Sequence, residues 1–192
     1  HADTWRPALH AESFLFSVLC AGSNFLIWIK GVVMTISVGD TIPALTLKTP
    51  GEKGPEDITT DRVFKGKKVV LFAVPGAFTP GCSLSHLPGY VTNADRIKAK
   101  GVDTIVCMAV NDAFVLDAWS KDQNADALLM LADGNGELTK KLGLEMDATG
   151  HGMGLRCQRF ALVAEDGVVT HLAIEPEGKV DVSAAEKILG VL

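Results

Sequence analysis

Three short apolar runs, each ended by turn-forming residues, dominate the hydrophobic pattern in the middle of the chain. They occupy residues 69–74, 104–110 and 128–132 and are followed by Pro-Gly, Asn-Asp and Asp-Gly. Uninterrupted runs of this length predict strands that are buried on both faces. Segments with helical spacing follow them, roughly at 84–100, 113–121 and 137–142. Strands that alternate with helices predict parallel crossover connections and a sheet covered on both sides.

The last third of the chain has a different pattern. Two apolar runs at 160–164 and 168–174 flank Glu165-Asp166-Gly167, and an Asp-Gly turn favours an antiparallel hairpin. A terminal helix is predicted over 183–189, with Ser183 as its N-cap. The summed prediction is an α/β fold with a mixed central β-sheet flanked by helices, in a thioredoxin-like arrangement.

The amino-terminal segment stands apart from this domain. Residues 14–33 are almost wholly apolar, with Lys30 as their single charge, and at about 20 residues they are long enough to span a bilayer as a helix. The preceding residues mix acidic and basic side chains, and the small-residue cleavage site of a secretory signal is missing. We therefore predict a leader outside the fold at 1–35 and one domain at 36–192, with a membrane or targeting helix, or packing in the core, as the alternatives. Cys20, inside the leader, is predicted to be an inert apolar residue.

Composition and charge narrow the classes of function. The 192 residues are 47% hydrophobic and 21% charged, which excludes disorder for most of the chain. A formal net charge of −5 without long Lys/Arg runs argues against nucleic-acid binding. The four cysteines form no C-x-x-C motif, so neither a zinc ribbon nor a thioredoxin-type dithiol is predicted. Sparse cysteine indicates a reducing compartment, and we expect a cytoplasmic protein without a metal site.

Candidate chemistry concentrates in the segment that follows the first buried run. Thr79 is a favoured N-cap residue, Pro80 suits the first helical position, and Cys82 then lies in the first turn of a helix. Backbone N–H groups and the helix dipole at that end favour a thiolate, which makes Cys82 the best candidate nucleophile. A buried structural cysteine is the alternative. Thr79 has two candidate roles, as a helix cap or as a hydrogen-bond partner of the sulfur and a bound hydroxyl group.

A reactive thiolate needs a permanent positive charge nearby, and an arginine supplies one. Arg159 directly precedes the apolar run that begins at Phe160, where an unpaired charge is costly. A solvated arginine at the sheet edge is the alternative, and position alone leaves both interpretations open.

These residues carry a specific resemblance to a known family. The pattern Pro75-x-x-x-Thr79-x-x-Cys82 resembles the active-site signature of peroxiredoxins, and the longer run to Tyr90 is similar to the peroxiredoxin-5 (type II) subfamily. The resemblance extends from about Val38 to the carboxyl terminus and includes none of the leader.

The resemblance implies a role for each matching residue. Cys82 is the expected peroxidatic thiol, Pro75 is expected to shield it, and the Thr79 hydroxyl with the N–H groups of Gly81 and Cys82 is expected to hold the peroxide. Arg159 matches the family arginine that stabilises the thiolate and the transition state.

The implied activity is a thiol-dependent peroxidase that reduces hydrogen peroxide and alkyl hydroperoxides, without a metal or organic cofactor, by cycling Cys82 through sulfenic acid. The resemblance also implies a homodimer packed near the mouth of the active site. A peroxide sensor or redox-switched binding protein that uses the same cysteine is the alternative. A thiol–disulfide oxidoreductase is disfavoured by the missing C-x-x-C motif, and a membrane partner is expected only if the leader is an anchor.

The sequence leaves open which thiol resolves the sulfenic acid. Cys107 matches the position used by plant- and bacterial-type members, while direct attack by glutathione or a glutaredoxin, or recycling by thioredoxin, needs no second cysteine in this chain. Cys157 is a weaker third candidate, because alternation along a strand predicts that it shares a face with Arg159; the favoured alternative is a small residue that only packs in the strand. His86, one helical turn after the nucleophile, is predicted to tune the thiol or to lie on a solvated face. Pro88 is predicted to interrupt helical bonding, so that the first turn can unwind.

Overall fold

A seven-stranded mixed sheet forms the centre of the domain. The computed structural model describes residues 34–192, of which 35–192 form one compact unit. The strands are β1 (Thr46–Gly51), β2 (Gly54–Thr59), β3 (Lys68–Val74), β4 (Thr104–Ala109), β5 (Leu129–Ala132), β6 (Glu145–Asp147), β7 (Leu155–Cys157), β8 (Phe160–Glu165) and β9 (Val168–Ile174). The helices are α1 (Thr60–Phe64), α2 (Leu87–Lys98), α3 (Ala113–Asp122), α4 (Glu137–Lys141) and α5 (Ala185–Leu189). A π-helical turn spans Cys82–His86 and a 3₁₀ turn spans Thr149–His151.

The strand order is β2-β1-β5-β4-β3-β8-β9, and β6 pairs with β7 in a separate two-stranded sheet. Strand β4 is parallel to both β3 and β5, whereas β1, β8 and β9 pair antiparallel with their neighbours. Side chains of alternate residues on β3 enter two apolar clusters, one containing α2, α3 and α5 and the other α1 and α4. The predicted mixed central sheet with flanking helices is confirmed.

The predicted hairpin is also present. Asp166 and Gly167 join β8 to β9 with φ values of 49° and 80°, so both residues occupy the left-handed region that a tight hairpin turn requires. The carboxylate of Asp166 accepts a hydrogen bond from the Gly66 N–H at 2.6 Å.

Other elements differ from the predictions. Strands β1 and β2, helix α1 and the β6–β7 pair had no clear signal in the hydrophobic pattern. The helix expected over 84–100 is instead a π-helical turn followed by α2. Helix α5 begins at Ala185, because the Ser183 hydroxyl donates to the Glu175 carboxylate and does not cap a helix.

The predicted leader, 1–35, lies outside the described residues except for its last two positions, and so does Cys20. Ile36, where the predicted domain begins, donates a backbone hydrogen bond to Leu142. Within residues 34–192 no helix has the length and apolar character needed to cross a membrane.

Candidate active site

Cys82 lies in the first turn of the helix that follows β3, as its sequence context predicts. Helical structure begins at Pro80, and the Ser83 N–H donates to the Thr79 carbonyl at 3.0 Å, so Thr79 occupies the N-cap position. The Cys82 side chain is fully buried within the apolar cluster that contains α2, α3 and α5. The sulfur is therefore shielded from bulk water, and its polar contacts are with protein groups.

Two side chains donate hydrogen bonds to the Cys82 sulfur. The Thr79 hydroxyl lies 2.9 Å from Sγ, and one Nη of Arg159 lies 3.3 Å from it. The same hydroxyl lies 2.9 Å from the Gly76 carbonyl, and its single hydrogen can serve only one of the two acceptors at a time. The Thr79 side chain thus contacts the sulfur in addition to standing at the N-cap position.

Strand pairing explains how Arg159 reaches a residue 77 positions away in the sequence. Strand β8 is antiparallel to β3, with Phe160 opposite Ala73, so Arg159 lies just beyond the carboxyl end of β3 where the Cys82 segment begins. Its guanidinium is directed at the sulfur, which excludes the alternative of a solvated arginine at the sheet edge. A Cβ at Gly81 would lie 3.3 Å from the same Nη of Arg159 that donates to the sulfur, so the glycine leaves room for the guanidinium.

A hydrogen bond to Asn111, just after β4, holds the loop between β3 and the helical turn that contains Cys82. Pro75 is half-buried at the end of β3, and the Ala77 N–H donates to the Asn111 side chain at 3.0 Å. Phe78 has a φ of 62°, a left-handed conformation that is strained for a bulky residue, and its ring is 53% exposed. The sequence did not predict that Asn111 contacts this loop.

The π-helical turn continues directly into α2. The Leu87 N–H donates to the Cys82 carbonyl, five residues back, and Pro88 stands at the first positions of α2 with no N–H to donate. Bonding is therefore irregular here, as predicted from Pro88, and π-helical turns are frequent at functional sites. That this turn unwinds stays a prediction.

His86 is buried, with 1% of its surface exposed, so the expectation of a solvated face is wrong. Its Nδ1 lies 2.9 Å from the other Nη of Arg159, and its Nε2 lies 3.1 Å from both the carbonyl and the hydroxyl of Ser183. Burial lowers the pKa of His86 to about 4, and the nearby Arg159 charge acts in the same direction. The sequence signal was its spacing of four residues from Cys82, but its partner Ser183 is far away in the chain.

Cys107 lies in the same apolar cluster as Cys82 and is also fully buried. It stands on β4 beside Phe72 of β3. Burial raises the pKa of Cys107 well above its usual value, and the nearby Cys82 adds to this effect. A resolving role for Cys107 stays a prediction, and it requires the thiol to leave the core before it can react as a thiolate.

Cys157 does not share a face with Arg159, so that prediction is wrong. It ends β7, in the separate two-stranded sheet, and packs in the apolar cluster on the opposite face of the main sheet from Cys82. Burial raises the pKa of Cys157 to about 12. Alternation fails because residues 157–159 do not form one continuous strand.

The arrangement is suited to nucleophilic attack by sulfur. Both donors on Sγ can also face an oxygen that approaches the sulfur, where they would stabilise charge as it moves onto the leaving oxygen. Within residues 34–192, no group of three or more His, Cys, Asp or Glu side chains is placed to hold a metal ion.

Both the sequence and the fold of this chain are similar to those of known proteins. A model of the Redoxin family matches residues 37–189. Peroxiredoxin-2E, chloroplastic, of Arabidopsis thaliana is 46% identical over 166 residues, which are 84% of this chain and 71% of the relative. Peroxiredoxin-2C of Oryza sativa subsp. japonica is 46% identical over 159 residues, which are 82% of this chain and 98% of the relative.

Solved structures show the same likeness. Reduced Prx3 of Vibrio vulnificus in complex with hydrogen peroxide is 53% identical, with a TM-score of 0.79 over 82% of this chain and 99% of the other. Peroxiredoxin 5 of Alvinella pompejana is 35% identical, with a TM-score of 0.71 over 80% of this chain and 96% of the other.

Proposed function

The chain belongs to the Redoxin family and, within it, to the peroxiredoxins, and from this premise we propose that it reduces hydrogen peroxide and small alkyl hydroperoxides by attack of the Cys82 sulfur. The family and the thioredoxin-like fold expected from the sequence are confirmed. One observation carries the proposal: the Cys82 sulfur is buried and receives hydrogen bonds from Thr79 at 2.9 Å and Arg159 at 3.3 Å.

The proposed reaction transfers one oxygen atom to the sulfur. The Cys82 thiolate attacks the terminal oxygen of the hydroperoxide, an S–O bond forms as the O–O bond breaks, and the bonding electron pair leaves with the second oxygen. That oxygen takes up a proton and departs as water or an alcohol, and Cys82 becomes a sulfenic acid. Arg159 and the Thr79 hydroxyl stabilise the departing charge, together with the N–H groups of Gly81 and Cys82.

The second half-reaction consumes a thiol. Attack of a thiolate on the sulfenic acid forms a disulfide and releases water, and another thiol then reduces that disulfide. We propose an external donor, glutathione with glutaredoxin or thioredoxin, because Cys107 is fully buried and burial raises its thiol pKa. Resolution by Cys107 is the alternative, and it requires the turn at Cys82–His86 and the core around β4 to open.

A homodimer is proposed on an apolar face beside the active site. Phe78, Leu84 and Phe114 are 53%, 81% and 70% exposed. Trp119, on the same helix as Phe114, contacts the segments that carry the other two residues. Its ring contacts Phe78, and its Nε1 donates a hydrogen bond to the hydroxyl of Ser83, which precedes Leu84. A second copy of the chain would remove these three apolar side chains from water. Sedimentation of Leu84→Glu should show monomers where the unchanged protein shows dimers; dimers that survive the change would place the interface elsewhere.

We propose that the protein works in a reducing compartment, with the cytoplasm as the expected location. Cys82, Cys107 and Cys157 are all free thiols in the structure. Cell fractionation with an antibody to the protein would test the location, and recovery only with an oxidising compartment would contradict it.

Turnover with excess thiol tests the proposed function. Peroxide consumption is measured for the unchanged protein, Cys82→Ser, Cys107→Ser and Cys157→Ser, each with thioredoxin, with glutathione alone, and with glutathione together with glutaredoxin. Many peroxides consumed per chain, abolished only by Cys82→Ser, is the expected result. One peroxide per chain with every donor would refute the enzyme and favour the sensor that uses the same cysteine.

A further inference from the structure

A line of buried hydrogen bonds connects Arg159 to a carboxylate in the segment that follows β9. One Nη of Arg159 lies 2.9 Å from His86 Nδ1, and His86 Nε2 lies 3.1 Å from the Ser183 hydroxyl. That hydroxyl lies 2.8 Å from Glu175 Oε1. His86, Ser183 and Glu175 are all buried, at 1%, 0% and 7% exposure.

The direction of each hydrogen bond follows from the chemistry of the guanidinium. Arginine has donors only, so His86 Nδ1 must be an unprotonated acceptor. The ring hydrogen is then on Nε2, which donates to the carbonyl and the hydroxyl of Ser183. The Ser183 hydroxyl has one hydrogen and directs it to Glu175. Every donor therefore points from the guanidinium towards the carboxylate, so a positive and a negative charge are joined through two neutral groups.

We propose that His86, Ser183 and Glu175 form a positioning relay that directs the Arg159 guanidinium at the Cys82 sulfur, so that the segment from Glu175 to Ser183 controls the reactivity of that sulfur. The role assigned to the relay in peroxide reduction rests on the proposed function. The three residues are positioning residues, because within the described residues only Arg159 joins the relay to the reacting atom.

Packing fixes the middle of the relay. The His86 ring meets Phe72 and Tyr90 edge-on, with centroids 5.0 Å and 5.6 Å away, and those two rings stack at 3.8 Å. The charged and titratable groups that act on His86 are Arg159 and Glu175. A protonated His86 would lose the acceptor for Arg159 and place a second cation beside it, so the relay requires the neutral ring.

The far end of the relay is a strongly held anion. Glu175 Oε1 accepts hydrogen bonds from the Asp181 N–H at 2.6 Å, the Ser183 N–H at 2.7 Å and the Ser183 hydroxyl. Burial by itself raises the pKa of Glu175, but these hydrogen bonds outweigh it, and the net shift of this pKa is downward. Its second oxygen, Oε2, is buried without a hydrogen-bond partner in the described structure. A buried carboxylate oxygen without a hydrogen-bond partner lowers the stability of the folded protein. The link from Glu175 to Arg159 is a functional reason for placing the carboxylate there.

Four variants of the full chain test the relay. His86→Phe removes both hydrogen bonds and keeps an aromatic ring, His86→Asn restores an acceptor near Nδ1, and Glu175→Gln removes only the charge. Tyr90→Phe is the matched control, because the Tyr90 hydroxyl donates to the same Ser183 carbonyl at 2.7 Å but does not lie on the line to Arg159. Two rates are measured: the single-turnover reaction with hydrogen peroxide, and alkylation of Cys82 by iodoacetamide at pH 6.

We expect His86→Phe to lower both rates by roughly tenfold to a hundredfold, because a misdirected guanidinium no longer stabilises the thiolate. His86→Asn should recover part of this loss, and Glu175→Gln should lower both rates several-fold. Tyr90→Phe should leave both within about twofold of the unchanged protein.

Two results would overturn the relay. One is a folded Glu175→Gln variant with both rates unchanged; the other is a Tyr90→Phe variant that loses as much as Glu175→Gln, which would assign the effect to packing. If His86→Phe does not fold, the comparison of Glu175→Gln with Tyr90→Phe decides in the same way. Alkylation requires no peroxidase activity, so an unchanged protein that reduces no peroxide would refute the proposed function while the alkylation rates still test the relay.

Discussion

Protonation of His86 should weaken the fold in mild acid, by an amount that follows from the burial of its ring. An unfolded histidine has a pKa of about 6.5, whereas burial lowers the pKa of His86 in the folded protein to about 4. Between these values the unfolded chain binds a proton that the folded chain does not, so the free energy of unfolding falls as the pH falls. At 1.36 kcal/mol per pKa unit, the contribution of His86 decreases by about 2 kcal/mol from pH 7 to pH 5 and levels off below about pH 4.

Urea unfolding at pH 7, 6 and 5, at one protein concentration and with reductant present, measures this effect. Other groups also titrate in this range, so the informative quantity is the difference between the unchanged protein and His86→Asn at each pH. We expect that difference to shrink by about 2 kcal/mol between pH 7 and pH 5. A difference that stays constant, or grows on acidification, would refute the conclusion that His86 is buried as a neutral ring.

Three further predictions concern the sulfur and its neighbours. Thr79→Val should slow the single-turnover reaction with peroxide by roughly tenfold to a hundredfold. Thr79→Ser keeps the hydroxyl, and the control Ser85→Ala removes an exposed hydroxyl from the π-helical turn, so both should stay within a few-fold of the unchanged protein. Equal rates for Thr79→Val and Thr79→Ser would contradict the role of the hydroxyl. Gly81→Ala should slow the same reaction several-fold, because its Cβ would press on Arg159 at 3.3 Å, and an unchanged rate would show that the guanidinium can shift freely. Cys107→Ser should keep most of its steady-state turnover with glutathione and glutaredoxin, and a loss with every donor would make that thiol the resolving one.

The parts of the fold that the sequence predicts are those with a local cause. Strands β3 and β4 are continuous apolar runs, and the Asp166-Gly167 turn has the residue types that its left-handed conformation requires. Strands β1 and β2 escaped prediction because they are mostly polar and hold Pro50 and Pro55. They pair with each other as a hairpin, and only β1 joins them to the rest of the sheet, through β5, which is remote in sequence.

The site likewise contains residues whose placement has a local cause in the sequence and residues whose placement depends on distant segments. The placement of Cys82 and Thr79 follows from local helix-start signals, whereas the position of Arg159 at the sulfur depends on the pairing of β8 with β3. His86 and Ser183 meet across 97 residues of sequence, and no local pattern relates them. Burial of a histidine and a glutamate likewise depends on the packing of distant segments, so the relay was visible only in the structure.

The most direct test of the central claim is the rate of the first peroxide turnover in Arg159→Gln, measured against Arg62→Gln. Both changes remove one positive charge, but only Arg159 contacts the sulfur, since Arg62 is exposed on α1 at the opposite face of the sheet. We predict a loss of roughly a hundredfold or more for Arg159→Gln and none for Arg62→Gln. Equal rates for the two variants would contradict the claim that the guanidinium activates Cys82.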